Sequence, residues 1–175
     1  MANKVVTGRG RLSYVWVFAP RPSQDGKDPK YQLCFILPKS DKATVERVRK
    51  AIEAAKEEGK AMWGGKIPAG LHTPLRDGDT ERDSEEFKGC WFLNASSKNK
   101  PGVVDVNLNP ILDSSELYSG CYARVSLNFF PYTNAGNKGV GVGLNNIQKL
   151  DDGEPLGGAR ARPEDDFGTG DDFLN

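Results

Sequence analysis

The sequence has few of the residues from which catalytic and metal sites are usually built. It contains one histidine and three cysteines, and the cysteines are widely spaced with no C-x-x-C pair. This spacing argues against a disulfide framework and favours reduced thiols in the cytoplasm. A zinc site could in principle use Cys34, Cys90, Cys121 and His72. Because zinc ligands usually occur in closely spaced pairs, we expect buried, structural cysteines instead.

The chain also lacks long apolar segments and the common catalytic motifs. No signal sequence or membrane-spanning run is visible, which predicts a cytoplasmic protein without a membrane partner. The sequence has no phosphate-binding loop and no H-E-x-x-H pattern, and no helix is expected after the glycines of GVGVG at 139–143. His72 has no catalytic partner at a suggestive spacing. We therefore expect no enzymatic activity, no metal and no cofactor.

Charge is balanced in total but not along the chain. Of 24 basic and 24 acidic residues, only two basic but eight acidic ones fall within 151–175, which leaves 22 basic and 16 acidic in 1–150. A basic body of this kind is typical of proteins that bind polyanions. The closing segment PEDDFGTGDDFLN has too little apolar surface to fold alone. We predict a folded domain over 1–150 and a disordered acidic tail over 151–175.

Alternating apolar residues predict five or six short strands and one helix. The strands are expected at 11–18, 30–37, 90–95, 103–108, 121–130 and 140–150. The helix follows Pro38, with Ser40 or Asp41 as its amino-terminal cap and Gly59 as its stop. Residues 60–88 are rich in Gly, Pro and Asp, which indicates a long surface loop. The pattern predicts a small, mainly β barrel or sandwich with one packed helix.

The alternation also predicts which side chains face the core. On strand 103–108 the inward residues are expected to be Val104, Val106 and Leu108. On strand 121–130 they are expected to be Ala123, Val125, Leu127 and Phe129. On the first strand, one face carries Leu12, Tyr14, Trp16 and Phe18. These rings are either part of the core or exposed for binding, and the alternation alone leaves both interpretations open.

The outward face of strand 121–130 and the residues just after it carry rings, a cation and an amide. They are Tyr122, Arg124, Asn128, Phe130 and Tyr132. Unpaired bases stack on such rings, for about 1–3 kcal/mol each, while cations neutralise phosphates. A duplex hides its base faces, so this surface predicts binding of single-stranded nucleic acid. The same residue types occur around the first strand, at Arg9, Arg11, Tyr14 and Trp16, and on the adjacent strand, at Lys30 and Tyr31. Two expected hairpin tips, 19–29 and 133–139, are candidate clamps over the strand and carry Arg21, Lys27, Lys30 and Lys138.

Two other functions remain open from the residues alone. The acid-rich stretch RDGDTERDSEEF contains Asp77, Asp79, Asp83 and Glu85, which could hold divalent ions for a nuclease. A solvated surface loop is the simpler interpretation of such a charged run. Alternatively, the aromatic face of strand 121–130 could pack on another subunit, as in a structural assembly protein.

Several stretches of the sequence resemble a family of bacteriophage single-stranded-DNA-binding proteins that was once classed as a domain of unknown function. They include LPKSDKATVERVRKAIEAAKEEG, KGCWFLNASSKNKPGVVD, SGCYARVSLNFF, NAGNKGVGVGLNNIQ and the closing EDDF. The resemblance runs from about residue 5 to the end. It implies an OB-fold, a five-stranded barrel. An OB-fold normally carries its helix after the third strand, whereas the helix predicted here follows the second.

The resemblance also implies a function. It suggests a non-catalytic protein that coats single-stranded DNA with little sequence preference in phage replication or recombination, within the host cytoplasm. It further implies that the acidic tail imitates DNA and recruits replication proteins such as a polymerase or helicase. The tail residues expected to do so are Asp165, Asp166, Phe167, Asp171, Asp172 and Phe173. A homo-oligomer and an ability to anneal complementary strands stay open.

Overall fold

The computed structural model describes residues 3–22, 29–134 and 136–156. The six tail residues expected to bind partners therefore lie outside the described residues. The strands are β1 (Lys4–Val6), β2 (Gly10–Arg21), β3 (Lys30–Pro38), β4 (Arg76–Asp77), β5 (Cys90–Ser97), β6 (Gly102–Val104), β7 (Tyr122–Asn134) and β8 (Asn137–Asp151). The helices are α1 (Lys42–Gly59), the single-turn α2 (Gly78–Glu81) and a 3₁₀ turn at Glu85–Phe87.

Five strands close into a ring. β2 pairs with β3, and β3 with β5, in antiparallel fashion. β5 then pairs with β8 in parallel, and β7 closes the ring through antiparallel pairs with β8 and β2. β1, β6 and β4 extend the sheet from β7, β8 and β5 respectively, outside the ring. A five-stranded ring with one main helix is the OB-fold-like barrel that the sequence predicted.

Helix α1 begins and ends where the sequence predicted. The carboxylate of Asp41 accepts a hydrogen bond from the backbone N–H of Thr44 at 3.2 Å, and the helix ends at Gly59. Because α1 follows the second strand of the ring, the departure from the usual OB order remains. The sequence did miss one strand before Pro38, namely β1, which lies outside the ring. β1 has three residues and buries only Val5, so it offers no alternation to detect.

Strand β3 is buried on both of its faces. One face joins α1 and β7 in the main core through Leu33, Phe35 and Leu37. The other face forms a second cluster, whose buried members are Cys34, Ile36, Phe87 and Phe92. Because Phe87 ends the 3₁₀ turn, this second cluster packs the segment that follows β4 against β3 and β5. Among the described residues, none of the helices combines the length and the apolar character needed to cross a lipid bilayer.

The alternation expected along β2 is wrong, because a bulge at Tyr14 reverses it. Tyr14 has φ of 49°, in the left-handed region, and the pairing with β3 shifts between Ser13 and Trp16. A bulge adds one residue and turns the following side chains to the other face. Leu12 and Val17 are therefore both buried, whereas Tyr14 and Trp16 are exposed. Of the rings expected on one face, Phe18 alone packs against the main core.

The strand expected at 103–108 is also wrong beyond its first residues. β6 ends at Val104, and its buried residue is Val103. Residues 105–109 form a turn in which the carboxylate of Asp105 accepts two backbone N–H groups. As a result, Val106 and Leu108 are 57% and 70% exposed instead of lying in the core.

The faces expected for β7 are confirmed. Its inward residues are all buried, and they are Ala123, Val125, Leu127 and Phe129. On the outward face, three glycines of β8 stand opposite larger residues of β7, in the pairs Tyr132–Gly139, Phe130–Gly141 and Asn128–Gly143. A Cβ on Gly141 would lie 2.6 Å from the Phe130 ring, so the glycine leaves room for the ring against the strand. This accounts for the GVGVG repeat.

The described chain continues past the boundary expected at residue 150. The hydroxyl of Tyr118 donates to the carbonyl of Gly153 at 2.9 Å, and the N–H of Leu156 donates to the carbonyl of Ser119 at 3.0 Å. The side chain of Leu156 packs on the second cluster. Residues 151–156 therefore lie against the body of the protein, and the last described residue packs on the second cluster.

Candidate nucleic-acid interface

Two adjoining cavities open on the outer side of β3 and β5. The larger has a volume of about 790 Å³ and the smaller about 400 Å³, and both are bordered by Asn94. The larger lies between residues 71–76 and the tips of β7 and β8, and the smaller lies over β2, β3 and β5. We call the two cavities together the groove. In OB-folds this face, between the second and third ring strands, is where oligonucleotides bind.

The smaller cavity is polar and positively charged. Its described lining includes the side chains of Gln32, Asn94 and Ser96, which can donate and accept hydrogen bonds. The charged residues of that lining are Arg21 and Arg82, and no carboxylate is among them. The cavity therefore suits a ligand with negative charge and several hydrogen-bonding groups.

Arg82 is held at the edge of the smaller cavity by aromatic rings. Its guanidinium lies 5.0 Å from the ring centre of Phe92 and 5.5 Å from that of Phe87. Arg76 lies 5.5 Å from Phe92 and forms an ion pair with Glu81 at 2.7 Å. The rings thus orient two cations towards the groove, and such cation–π contacts are common for arginine.

The thiol of Cys34 lies beneath these arginines and is not a nucleophile. Burial raises its pKa to about 12, although the positive charges of Arg82 and Arg76 act in the opposite direction. The thiolate is the reactive form of cysteine, so this thiol stays protonated and inert at neutral pH.

Two aromatic side chains of β2, Tyr14 and Trp16, lie outside the core, and Tyr14 contributes to the groove. Tyr14 is 56% exposed and lines the smaller cavity, and Trp16 is 39% exposed and stands opposite Gln32. A tyrosine in the left-handed region carries a conformational cost of about 1–2 kcal/mol. An exposed ring regains little of that cost through burial, so packing does not explain the strained backbone. Strained residues of this kind cluster at binding sites.

A second group of predicted residues lies on the outward face of β7 and β8. Phe130 is 45% exposed and rests against Gly141. The amide of Asn128 donates to Asn145 at 3.1 Å, and the guanidinium of Arg124 donates to Gln148. Tyr132, from the same face, lines the larger cavity. The outward face of β7 therefore joins the groove at its Tyr132 end.

A third group lies where β2 meets the start of β7, and its contacts are structural. The guanidinium of Arg9 stacks on the ring of Tyr122 at 4.4 Å and approaches Asp151 to 3.6 Å. Arg11 lies 5.5 Å from the same ring and donates to the carbonyls of Gly120 and Glu154 at 3.0 and 2.6 Å. These arginines hold residues 151–154 against the barrel.

The remaining predicted residues lie near the ends of the hairpins. Lys30 is exposed and pairs across the ladder with Arg21, which lines the smaller cavity. Tyr31 is half-buried opposite Ser97. The carbonyl of Lys138 accepts the N–H of His72, which ties residues 71–74 to the tip of β8. Residues 23–28 of the first tip and 135 of the second lie outside the described residues.

The acidic stretch proposed for metal binding has a structural role. The ammonium of Lys39 donates to Asp77 at 2.7 Å and to Asp79 at 2.8 Å, and it holds the pKa of both carboxyls below the usual range. Asp77 also caps α2, and Asp79 accepts the N–H of Gly89. Within 3–22, 29–134 and 136–156, no three His, Cys, Asp or Glu side chains are grouped as metal ligands.

Sequence reasoning missed part of the groove. Gln32 and Asn94 occur on strands that were predicted from their apolar residues, and nothing beyond the alternation marked them as binding residues. Ser96 lies just past the strand expected at 90–95, whereas β5 continues to Ser97. Arg76 and Arg82 were overlooked because the stretch that contains them is dominated by acids. The signal that could have identified them is that Arg76 and Arg82 are the two basic residues within the acidic stretch RDGDTERDSEEF.

The sequence is similar to known phage proteins over nearly its whole length. A family model described as the single-stranded-DNA-binding protein of Enterobacter phage Enc34 matches residues 3–174. Protein p50 of Acyrthosiphon pisum secondary endosymbiont phage 1 is 29% identical over 174 residues, which is 94% of this chain and 92% of that protein.

Solved structures show the same fold. The single-stranded-DNA-binding protein from bacteriophage Enc34, in complex with single-stranded DNA, superposes with a TM-score of 0.79 at 24% identity, over 89% of this chain and 90% of that one. The single-stranded-DNA-binding protein gp2.5 of bacteriophage T7 superposes with a TM-score of 0.64 at 17% identity, over 93% and 99%. Since the family model spans nearly the whole sequence, this chain belongs to the family of the Enterobacter phage Enc34 single-stranded-DNA-binding protein.

Proposed function

We propose that this protein binds single-stranded DNA in the groove over β3 and β5, without catalysis and with little sequence preference. The observation that carries the proposal is the groove itself, in whose smaller cavity the exposed ring of Tyr14 and two arginines, Arg21 and Arg82, lie around hydrogen-bonding side chains. Membership in a family named for single-stranded-DNA binding supports it. The bound strand would place phosphates near Arg21 and Arg82 and stack bases on Tyr14 and Trp16.

The groove favours a single strand over a duplex for a geometric reason. The side chains of Tyr14, Trp16 and Phe130 are exposed to solvent, and only unpaired bases have free faces that could stack on such rings. A duplex would offer its phosphates alone. Because neutralised phosphates release counterions, affinity should fall with salt with a slope of about −0.7 per phosphate contact.

We further propose that the protein acts in phage DNA replication or recombination in the host cytoplasm, and that its acidic tail serves two purposes. The tail would occupy the groove when DNA is absent and bind replication proteins when DNA displaces it. Leu156 supports this route, since it packs on the cluster that contains Cys34, and Cys34 lines the smaller cavity. The last described residue therefore packs on a cluster that shares Cys34 with the groove that the tail would fill.

The test is a titration of labelled oligo-dT and of a matched duplex at two salt concentrations. It uses the full chain and a variant that ends at Leu156, which keeps every described contact of residues 151–156. We expect strong preference for the single strand, weaker binding at the higher salt and tighter binding after truncation. Equal affinity for the duplex would contradict the stacking argument, and unchanged affinity after truncation would contradict the competition by the tail.

The same titration, repeated with Mg²⁺, separates binding from cleavage. We expect the oligonucleotide to stay intact, because Asp77 and Asp79 are already engaged by Lys39. Degradation that disappears in an Asp77→Asn variant would favour the nuclease alternative instead.

A further inference from the structure

The barrel wall opens between β5 and β8. Among the described residues, the parallel ladder between these strands has one pair, Ser96 with Gly143. Continued in the same register, that ladder would place Phe92 opposite Gly139. Both residues pair instead with a third segment, residues 71–77, which we call the bridging segment. The two strands therefore separate on one side of Ser96, and the bridging segment lies between them.

The anchors of the bridging segment limit how wide the opening is. On one side, Arg76 pairs with Phe92 of β5. On the other side, the backbone N–H of His72 donates to the carbonyl of Lys138 in β8 at 3.1 Å. Because His72 and Arg76 are four residues apart, the chain between them spans at most about 14 Å. Gly139 permits the contact with β8, since a Cβ there would lie 2.8 Å from the carbonyl oxygen of His72.

The larger cavity lies at this opening, and its described lining is polar without being basic. The acidic and basic residues of that lining are Glu81 and Arg76, and the guanidinium donates to the carboxylate at 2.7 and 2.9 Å. The other polar side chains come from β5, from the tip of the β7–β8 hairpin and from the bridging segment, and they are Asn94, Tyr132, Asn134, Asn137, His72 and Thr73. A volume of about 790 Å³ is in the range of pockets that hold ligands larger than a nucleobase.

The two cavities of the groove therefore suit different parts of a nucleotide. The smaller one has Arg21 and Arg82 and no carboxylate in its described lining, so it favours phosphates. At the larger one, the carboxylate of Glu81 already engages Arg76 and repels a second anion. The edge of a base has hydrogen-bond donors and acceptors but no net charge. Asparagine amides offer both kinds of group and so match such an edge.

We propose that the larger cavity is a nucleobase pocket, which takes one base of the bound strand while the phosphates follow the smaller cavity. This inference rests on the proposed function and adds to it the place where the edge of a base is bound. Amide and hydroxyl groups can donate or accept as the base requires. The pocket would therefore detect the presence of a base with little selection among the four, in keeping with a low sequence preference.

The test compares oligo-dT with an oligomer of the same length in which difluorotoluene replaces thymine. This analogue keeps the shape of thymine and can stack, but it lacks the strong hydrogen-bonding groups of the base, and the phosphates are unchanged. Both oligomers are titrated at one salt concentration against the natural chain and against a variant with Thr73→Val and Asn137→Leu. These substitutions nearly keep the size of two exposed lining side chains and remove their hydrogen-bonding groups.

We expect the natural chain to bind oligo-dT about tenfold more tightly than the analogue, the effect of one or two hydrogen bonds between neutral groups. The variant should lose most of this preference. Asn107→Leu is the matched control, because Asn107 is an exposed asparagine outside the described lining of both cavities, and this protein should keep the preference.

Two results would overturn the pocket while leaving the proposed function intact. One is equal affinity of the natural chain for the two oligomers, and the other is a preference that is the same in the natural chain and in the Thr73→Val, Asn137→Leu variant. Failure of the natural chain to bind either oligomer would contradict the proposed function itself.

A second measurement uses the natural chain alone. Oligo-dT that carries iodouracil is crosslinked by ultraviolet light to the side chains that touch its bases, and the crosslinked peptides are identified by mass spectrometry. We expect crosslinks to Tyr132 or to residues 71–75, in addition to those at Tyr14 and Trp16. Crosslinks confined to Tyr14 and Trp16 would overturn the pocket.

The assignment of a base and not a phosphate to this cavity has its own test. Arg76→Gln with Glu81→Gln removes the ion pair and leaves the described lining without charged carboxylate or guanidinium groups. The slope of log affinity against log salt should be unchanged, because no phosphate is neutralised at Arg76. A slope that becomes shallower by about 0.7 would place a phosphate there and overturn the pocket.

Discussion

The ring of Phe130 lies against Gly141, directly across the ladder between β7 and β8. A Cβ at position 141 would be 2.6 Å from two carbons of that ring, which is closer than side chains approach one another. The glycine therefore determines how the ring is presented to solvent. In turn, the ring shields the backbone of a strand that has few side chains of its own on this face.

A Gly141→Val substitution should push the ring of Phe130 out of its present position. If bases stack on Phe130, affinity for oligo-dT should fall by up to about 1–3 kcal/mol, the contribution of one stacked base. The measurement is a fluorescence titration at low salt. Gly143→Ala is the matched control, since its nearest contact with Phe130 would be an ordinary 3.7 Å. Equal affinity for the two variants would mean that Phe130 is not a stacking platform.

Replacing Tyr14 should separate stability from binding. Tyr14→Asn removes the ring and places at φ of 49° a residue that tolerates the left-handed region. We expect the free energy of unfolding in urea to rise by up to about 1 kcal/mol, while affinity for oligo-dT falls by about 1–3 kcal/mol.

The control for this prediction is Tyr14→Phe, which keeps both the strain and the ring. Its stability and its affinity should resemble those of the natural chain. A Tyr14→Asn protein that is less stable and binds normally would show that the ring supports the fold and not the ligand.

The contrast between β7 and β2 shows which features of the fold are readable from the sequence. Along β7 every second residue is apolar, and the structure follows that pattern without interruption from Ala123 to Phe129. Along β2 the same pattern fails at Tyr14, because nothing in a tyrosine announces a bulge. Its backbone conformation is imposed by the neighbouring strands and not by its own propensity.

The site was predictable to a smaller extent, for a related reason. The exposed rings Tyr14, Trp16 and Phe130 were among the predicted binding residues, since their residue type suggests the chemistry. Asn94 was not, because it becomes central only when β3 and β5 pair and bring it between the two cavities. Arg11 has the expected residue type, but its hydrogen bonds go to carbonyls of the chain itself. Residue type indicates what a side chain can bind, and tertiary contacts decide what it does bind.

Arg82 should contribute a phosphate contact. An Arg82→Gln variant should bind oligo-dT more weakly at low salt, and the slope of log affinity against log salt should become shallower by about 0.7, the value for one lost contact with a single strand. Lys50→Gln is the control, because Lys50 is an exposed cation on α1 that pairs with Glu46. A loss of affinity with an unchanged slope would indicate that Arg82 acts by shaping the cavity and not through its charge.

The contact of Lys39 with Asp77 and Asp79 should make stability depend on pH in the acidic range. Both carboxyls have a pKa in the folded protein below the ordinary value of 3.8, because Lys39 donates to them. Their contribution is therefore present above that value and is lost as the pH falls through the lowered pKa. A Lys39→Met variant should be less stable than the natural chain at neutral pH, and the difference should narrow as the pH falls below 3.8.

The measurement for Lys39 is urea unfolding at a series of pH values. Lys39 also lies 4.8 Å from the ring centre of Trp91, and this contact does not titrate in the acidic range. A small constant difference between the two proteins is therefore expected to persist at low pH. A difference that is the same at every pH would show that the carboxylates do not contribute.

Truncation at two positions should separate the anchored part of the carboxyl terminus from the tail beyond it. A chain that ends at Leu156 keeps the bond from Arg11 to Glu154 and the packing of Leu156 on the second cluster. A chain that ends at Leu150 loses both, together with the contact between Arg9 and Asp151.

We expect both truncations to bind oligo-dT more tightly, because the acids of the tail are gone from each. Only the shorter chain should melt at a lower temperature, since it exposes apolar surface of the second cluster and leaves the guanidinium of Arg11 without one of its carbonyl partners. If the chain that ends at Leu156 melts as low as the shorter one, residues 151–156 do not anchor the terminus, and the route from Leu156 into the groove loses its support.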